Sequence, residues 1–210
     1  MKKTETLCWT CKFCTGATKP HPRVTKNNGL FQCPWASRLE PVEGWTAAQK
    51  TLKVSPEETT TTYFVEGCPY YIADLEAQIE ALTPKEIANK LEISSTFVSQ
   101  HLKISKQVLY TYTKLYNNML SDFKKKNPEA KQLPIKARYN LKKEIINDIL
   151  QVAIEELQFE QEDNDSSDEE KYNTSIKQQI PDCQEMLRSI EYHYKQKVKK
   201  LNAAASQNNN

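Results

Sequence analysis

The sequence predicts a mainly α-helical protein with a small β-ribbon module at its N-terminus, and three observations carry that expectation. From Ile72 onward, apolar residues recur at spacings of three and four, the mark of amphipathic helices. Ahead of that point stand five of the six cysteines, Cys8, Cys11, Cys14, Cys33 and Cys68, in a stretch too short to bury a core of its own. Between them, Thr51 to Val65 contains the β-prone run TTTTYFV, which fits a short strand leading into Cys68.

The composition bounds what such a chain can do. With 210 residues, 38% hydrophobic and 27% charged, it suffices for one or two small soluble domains plus tails. No apolar run approaches the ~20 residues that span a bilayer, and MKKTETLCWTC has no apolar core after its lysines, so a cytoplasmic protein is expected. Four glycines leave no phosphate-cradling loop, and no Ser-His-Asp cluster is built from local motifs, so an enzyme is disfavoured. The net charge of +2 hides a segregation: Lys103, Lys106, Lys114, Lys124, Lys125, Lys126, Lys131, Lys136, Arg138, Lys142 and Lys143 precede a stretch, Glu144 to Glu170, with no basic residue at all. A basic block is the electrostatic footprint expected for a polyanion, whereas an acidic run is most often a solvated linker.

In a cytosolic chain, clustered cysteines argue for metal before disulfides. Cys8-Trp-Thr-Cys11 is one half of a zinc site, a spacing that lets a turn present two thiolates to one ion, and Cys33 and Cys68 each precede a stiffening proline. Four thiolates close a tetrahedral zinc site, so one structural zinc ion is expected, replacing the core that the module cannot build. The Cys8-x-x-Cys11-x-x-Cys14 spacing also echoes an iron–sulfur ligand run, although the gap to Cys33 is far too long for it. His21 could stand in for a cysteine, and Trp35 and Trp45 read as packing for this module.

The string CWTCKFCTG, then CPWA, PVEGWTA and GCPYY, resembles small cysteine-rich proteins of tailed phages and prophages of Gram-positive bacteria. Their pattern is C-x-x-C-K, C-x-W, P-V-x-G-W-x-A and a late C-P, and the likeness covers about a third of the chain. Matched residue by residue, it implies Cys8, Cys11, Cys33 and Cys68 as the metal ligands, with Cys14 as an alternative and residues 16–31 as an insertion.

The next segment, LTPKEIANKLEISSTFVSQHLK from Leu82 to Lys103, reads as two short helices joined by a tight turn. Thr83 with Glu86 makes a capping box and Pro84 sits at the first helical position. Ile87, Ala88 and Leu91 share a face, Ile93 plugs the corner, and Ser94 or Ser95 caps a second helix that carries Val98 and Leu102 inward. Ser94, Ser95, Thr96, Ser99 and Gln100 are left to meet base edges, and Lys85, Lys103 and Lys106 to hold phosphate. With IANKLxIS and VSQHL, the segment is similar to the helix-turn-helix of bacterial and phage regulators, including the promoter-reading end of sigma factors, which implies a role in reading double-stranded DNA. Glu92 departs from that pattern, standing where many members have the glycine that a positive φ favours. A helix over 72–81 is expected to supply the third helix that buries the motif's inner face.

Beyond the motif, Val108, Tyr112, Leu115, Met119 and Phe123 form one stripe, and Ile135, Tyr139, Ile145, Ile146, Ile149, Val152 and Leu157 another. Cys183, Leu187, Ile190, Tyr194, Val198 and Leu201 give near-heptad spacing, so Cys183 is a buried position and not a ligand. The expected organisation is a cysteine-rich module over 1–71, a helix-turn-helix domain over 72–127, a helix over 134–160, an acidic disordered linker over 160–178, an association helix over 180–202 and a polar tail over 203–210. The whole suggests a phage-type transcription regulator acting as a homodimer or higher homo-oligomer. Its rivals are a DNA-packaging component resembling small terminase subunits and a zinc protein that binds a host protein partner.

Overall fold

The computed structural model describes residues 6–15, 44–53, 55–162 and 169–207. It is mainly helical, with one small antiparallel sheet. The chain divides into two compact units, Met1–Leu82 and Thr83–Asn210.

In the first unit, β1 (Thr46–Lys53) pairs with β2 (Thr59–Gly67), Ala48 lying opposite Phe64 and Thr51 opposite Thr61. The sequence marked only the second of these strands. Its partner carries few β-branched residues and is specified by the pairing itself, the kind of tertiary context that outweighs strand propensity. Phe64 and Val65 are buried, and the ammonium of Lys50 lies 4.1 Å from the centre of the Phe64 ring. A 3-10 turn, Leu7–Thr10, leads into α1 (Lys12–Thr15). The Val65 backbone N–H donates to Thr6 Oγ1 at 3.0 Å, tying the start of the turn to the ribbon.

Helix α2 (Leu75–Glu80) is capped by Asp74, whose Oδ1 accepts from the N–H groups of Glu76 and Ala77 at 3.1 and 3.3 Å. The other carboxylate oxygen accepts from the Thr15 hydroxyl at 2.6 Å, and the Asp74 N–H donates to the Thr10 carbonyl at 2.8 Å. Helix α2 is thereby fastened to the cysteine-bearing turn of its own unit. Ile79 is its one buried side chain.

The second unit is all helix: α3 (Pro84–Leu91), α4 (Ser95–Gln100), α5 (Leu102–Lys126), α6 (Ile135–Glu162) and α7 (Glu169–Gln207). Its core gathers Ile87, Leu91, Val98, Val108, Leu109, Ile145, Ile146, Cys183 and Met186, all 2% exposed or less. Helices α6 and α7 run antiparallel, for Tyr139 stacks on Tyr194 at 4.0 Å while Lys143 meets Glu191 at 3.2 Å. The connection from α5 to α6 is pinned by the Leu133 N–H, which donates to the Tyr116 hydroxyl at 3.3 Å.

Three expectations change here. The acidic segment 160–178 is not a disordered linker throughout, because α6 reaches Glu162 and α7 begins at Glu169, leaving only 163–168 outside the described residues. Helix α7, expected over 180–202, starts earlier and passes through Pro181. Secondly, Val152 is 52% exposed while Ala153 is buried. Ile145, Ile149 and Ala153 share the inward line at four-residue steps. Thirdly, the α5 stripe is buried only in its first half: Val108 and Tyr112 are enclosed, whereas Leu115 and Met119 are exposed.

Candidate nucleic-acid interface

Helix α3 starts as its residues dictate. Thr83 Oγ1 accepts from the Glu86 N–H at 3.3 Å, and Glu86 Oε2 accepts from the Thr83 N–H at 2.7 Å, completing the box. That backbone N–H and the Thr83 hydroxyl hold the Glu86 carboxyl below its ordinary range. At the other end Glu92 takes φ 64°, the single positive φ at a non-glycine among the described residues. This conformation lets the Ile93 N–H reach the Ala88 carbonyl at 3.1 Å, and the chain turns into α4.

The glutamate in the glycine position has a use that a glycine could not serve. Its carboxylate meets the ammonium of Lys142 on α6 at 3.4 Å and is hydrogen-bonded by Lys197 on α7. Burial alone would raise the Glu92 carboxyl, but the two lysines outweigh it and hold it below the usual range. Lys142 is itself only 4% exposed. It donates to the Leu91 carbonyl at 3.0 Å, an orphan acceptor at the end of α3, and lies 5.0 Å from the Tyr112 ring, whose phenol burial pushes up to about 12. Desolvation lowers the Lys142 ammonium, with the Glu92 charge opposing. The turn of the motif is thus clamped to α6 and α7. Of the basic block, Lys142 is buried inside the unit, while Lys143 pairs with Glu191 at 3.2 Å on its surface.

Helix α4 presents what remains. Phe97 and Val98 point inward; the sequence pattern identifies Val98 and passes over Phe97. Leu102, expected on the same helix, belongs to α5 because the chain bends at His101, whose ring lies 4.5 Å from Phe97 and whose Nδ1 meets Asp182 on α7 at 3.0 Å. Ser94, Ser95, Thr96, Ser99 and Gln100 are all exposed, as are Lys85 and Lys103, and Lys106 is half-buried. Ser94 occupies the N-cap position without a side-chain cap bond and is exposed. Ser99 donates to the Ser95 carbonyl at 2.9 Å, so it offers a partner acceptor lone pairs, while the Gln100 amide offers a donor and an acceptor side by side. No carboxylate interrupts this face from Ser94 to Lys103.

In the first unit, Cys8 and Cys11 are buried on successive turns, and the Cys11 N–H donates to the Cys8 carbonyl at 3.3 Å. A hydrogen bond from Cys14, with the backbone N–H groups of Ile72, Phe13 and Cys14, pulls the Cys11 thiol down to about 5 against the effect of burial. Cys68 follows β2 and accepts from the Trp45 indole N–H at 3.1 Å. Tyr71, three residues on, shares a 3.1 Å hydrogen bond with the Thr10 hydroxyl, which holds the two cysteine turns in one small unit. Cys33 and His21 lie outside the described residues. Among the described residues no three cysteine, histidine or acidic side chains group closely enough to share an ion. Cys183 is fully enclosed between helices, and burial raises its thiol to about 11. Among the described residues no helix is long and apolar enough to cross a membrane.

Compared with known proteins, the chain matches no family model, no curated protein and no solved structure.

Proposed function

We propose that this chain is a phage- or prophage-type DNA-binding protein, a transcription regulator that reads duplex DNA with α4 in the major groove. The observation that carries the reading is the outer face of α4. Five short polar side chains and a lysine stand exposed, without a carboxylate, on a helix whose inner side chains are packed and whose leading turn is clamped to α6 and α7. A reading helix must be held rigidly while its outer face stays uncommitted, and this one meets both conditions. Gln100 reads an adenine, Ser95, Thr96 and Ser99 read neighbouring bases, and Lys85, Lys103 and Lys106 meet phosphates. In the first unit, Cys8, Cys11, Cys33 and Cys68 hold one structural zinc ion, with the Trp45 N–H hydrogen-bonded to one thiolate. The exposed Leu115 and Met119 of α5 pair two copies on a repeated site.

The test is selection of bound sequences from random DNA, followed by two variants. Gln100→Ala should cost about 1 to 3 kcal/mol on the selected site and little on random DNA. Lys103→Ala should weaken both alike and flatten the salt dependence. Equal losses for both variants on both DNAs would mean that α4 does not read sequence.

A further inference from the structure

Two contacts fix the course of α7 past the reading motif. Asp182 meets His101 at the C-terminal end of α4, and Lys197 meets Glu92 in the turn ahead of α4. Between those anchors α7 advances roughly 22 Å at 1.5 Å per residue, in the sense that leads from the end of the reading helix to its beginning. The beginning is the end that a helix-turn-helix turns toward base edges. The stacking of Tyr139 on Tyr194 sets Ile135, the first residue of α6, level with about Val198, so α7 leaves its partner there. Its remaining turns, to Gln207, extend roughly 14 Å past the first residue of α6.

The side chains over the last turns of α7 suit one kind of surface. After Glu191 the helix has no acidic residue, and it carries Lys195, Lys197, Lys199 and Lys200. Lys197 is committed to Glu92. Lys195, Lys199 and Lys200 are exposed, and Lys200 lies one turn beyond Lys197 on the same side of the helix as the clamped turn. Asn202, Ala203, Ala204 and Ser206, also exposed, are small or polar and let a backbone come close.

We infer that the end of α7, from Lys195 to Gln207, is a second DNA-binding element, a cationic helical arm lying on the phosphates that flank the base pairs read by α4. This rests on the reading of α4 as a DNA-reading helix and assigns a further part of the same interface. The arm contributes no base readout: lysines are point charges to phosphate, and the neighbouring side chains are too short to specify a base.

The experiment compares the full chain with Lys199→Ala/Lys200→Ala and with Lys177→Ala/Arg188→Ala, a control that removes the same charge from exposed sites farther back on α7. Binding to a random duplex is measured across a salt series, and hydroxyl-radical footprints are taken on a selected site. Alanine keeps helix propensity, and circular dichroism at 222 nm checks that α7 persists. The arm variant should bind on the order of tenfold more weakly at low salt on selected and random DNA alike, with the salt slope flatter by about 0.9 for each phosphate that the variant no longer neutralises. Its footprint should lose the protection flanking the site while protection at the centre remains, and the control should change little. If arm variant and control weaken equally, or if the arm variant binds as the parent does while Lys103→Ala still weakens binding, the arm is refuted and the reading of α4 stands. A parent chain that binds no duplex at low salt overturns both.

Discussion

Glu92 allows a prediction whose sign depends on weighing two opposed effects. The residue sits at φ 64°, where a side chain costs about 1 kcal/mol relative to glycine. Against that strain stands its charge. The pair with Lys197 is partly exposed on both sides, 40% and 31%, so it contributes no more than about 1 kcal/mol. Lys142 is the larger matter, since at 4% exposure it would keep its ammonium with the Leu91 carbonyl and the face of Tyr112 but no counter-charge. Stripping a counter-charge from a fully buried ion costs about 3 to 5 kcal/mol, and the partial exposure of Glu92 reduces that here to about 2. Glu92→Gln keeps the backbone strain and loses the charge, so the helical unit should be destabilised by about 2 kcal/mol. Glu92→Gly loses both, and the relief of strain should bring the net loss back to about 1 kcal/mol. The variant that deletes more atoms should therefore be the more stable of the two.

Urea unfolding distinguishes these outcomes, because the two units carry separate probes. All three tryptophans, Trp9, Trp35 and Trp45, belong to the first unit, whereas helix ellipticity at 222 nm comes chiefly from α3 to α7. The 222 nm transition should shift and the tryptophan transition should not. The pH dependence follows from the lowered Glu92 carboxyl. A group whose folded value is depressed stabilises above its unfolded value and loses that contribution as pH falls through the folded one. The gap between the parent and Glu92→Gln should thus be full at neutral pH and close below the ordinary glutamate value of about 4.3. A Glu92→Gln chain as stable as its parent at neutral pH, or a glycine variant less stable than the glutamine one, would refute the reasoning.

Two further outcomes are expected. Purified protein should hold about one zinc ion per chain, and Cys11→Ser should lose it along with the fold of the first unit while Cys14→Ser keeps it; loss of metal only on changing Cys14 would move the ligand set to that residue, and a brown protein would indicate iron and sulfur. Replacing Asp163, Asp165, Asp168, Glu169 and Glu170 by Asn or Ser tests whether the acidic run competes with DNA for the lysines. Glu169 stands roughly 20 Å back along α7 from Asp182, which is anchored at His101, so only the small, general gain from raising net charge is expected in a salt series. A large gain at low salt that vanishes as ions are added would show competition instead.

Elements whose signals are local can be read from residue order alone. The box of Thr83 and Glu86, Pro84 at the first turn, the inward Ile87, Leu91 and Val98 and the outward Ser95, Thr96, Ser99 and Gln100 all follow from residue types at fixed offsets, because caps and helix faces involve neighbours only a few positions apart. Burial of Cys183 was legible for the same reason. Which residues serve the motif from a distance emerges only once the chain is folded. Lys142 and Lys197 looked like two more cations of a basic helix until the fold brought them to Glu92 across separations of 50 and 105 residues, and nothing in their immediate sequence distinguishes them from Lys103. The pairing of β1, the attachment of α2 to the cysteine turn and the exposure of Val152 likewise depend on what lies opposite. A side chain's own periodicity says that it has an apolar or a polar side; whether a partner covers that side, or a carboxylate claims its charge, is set by packing between segments far apart in the chain.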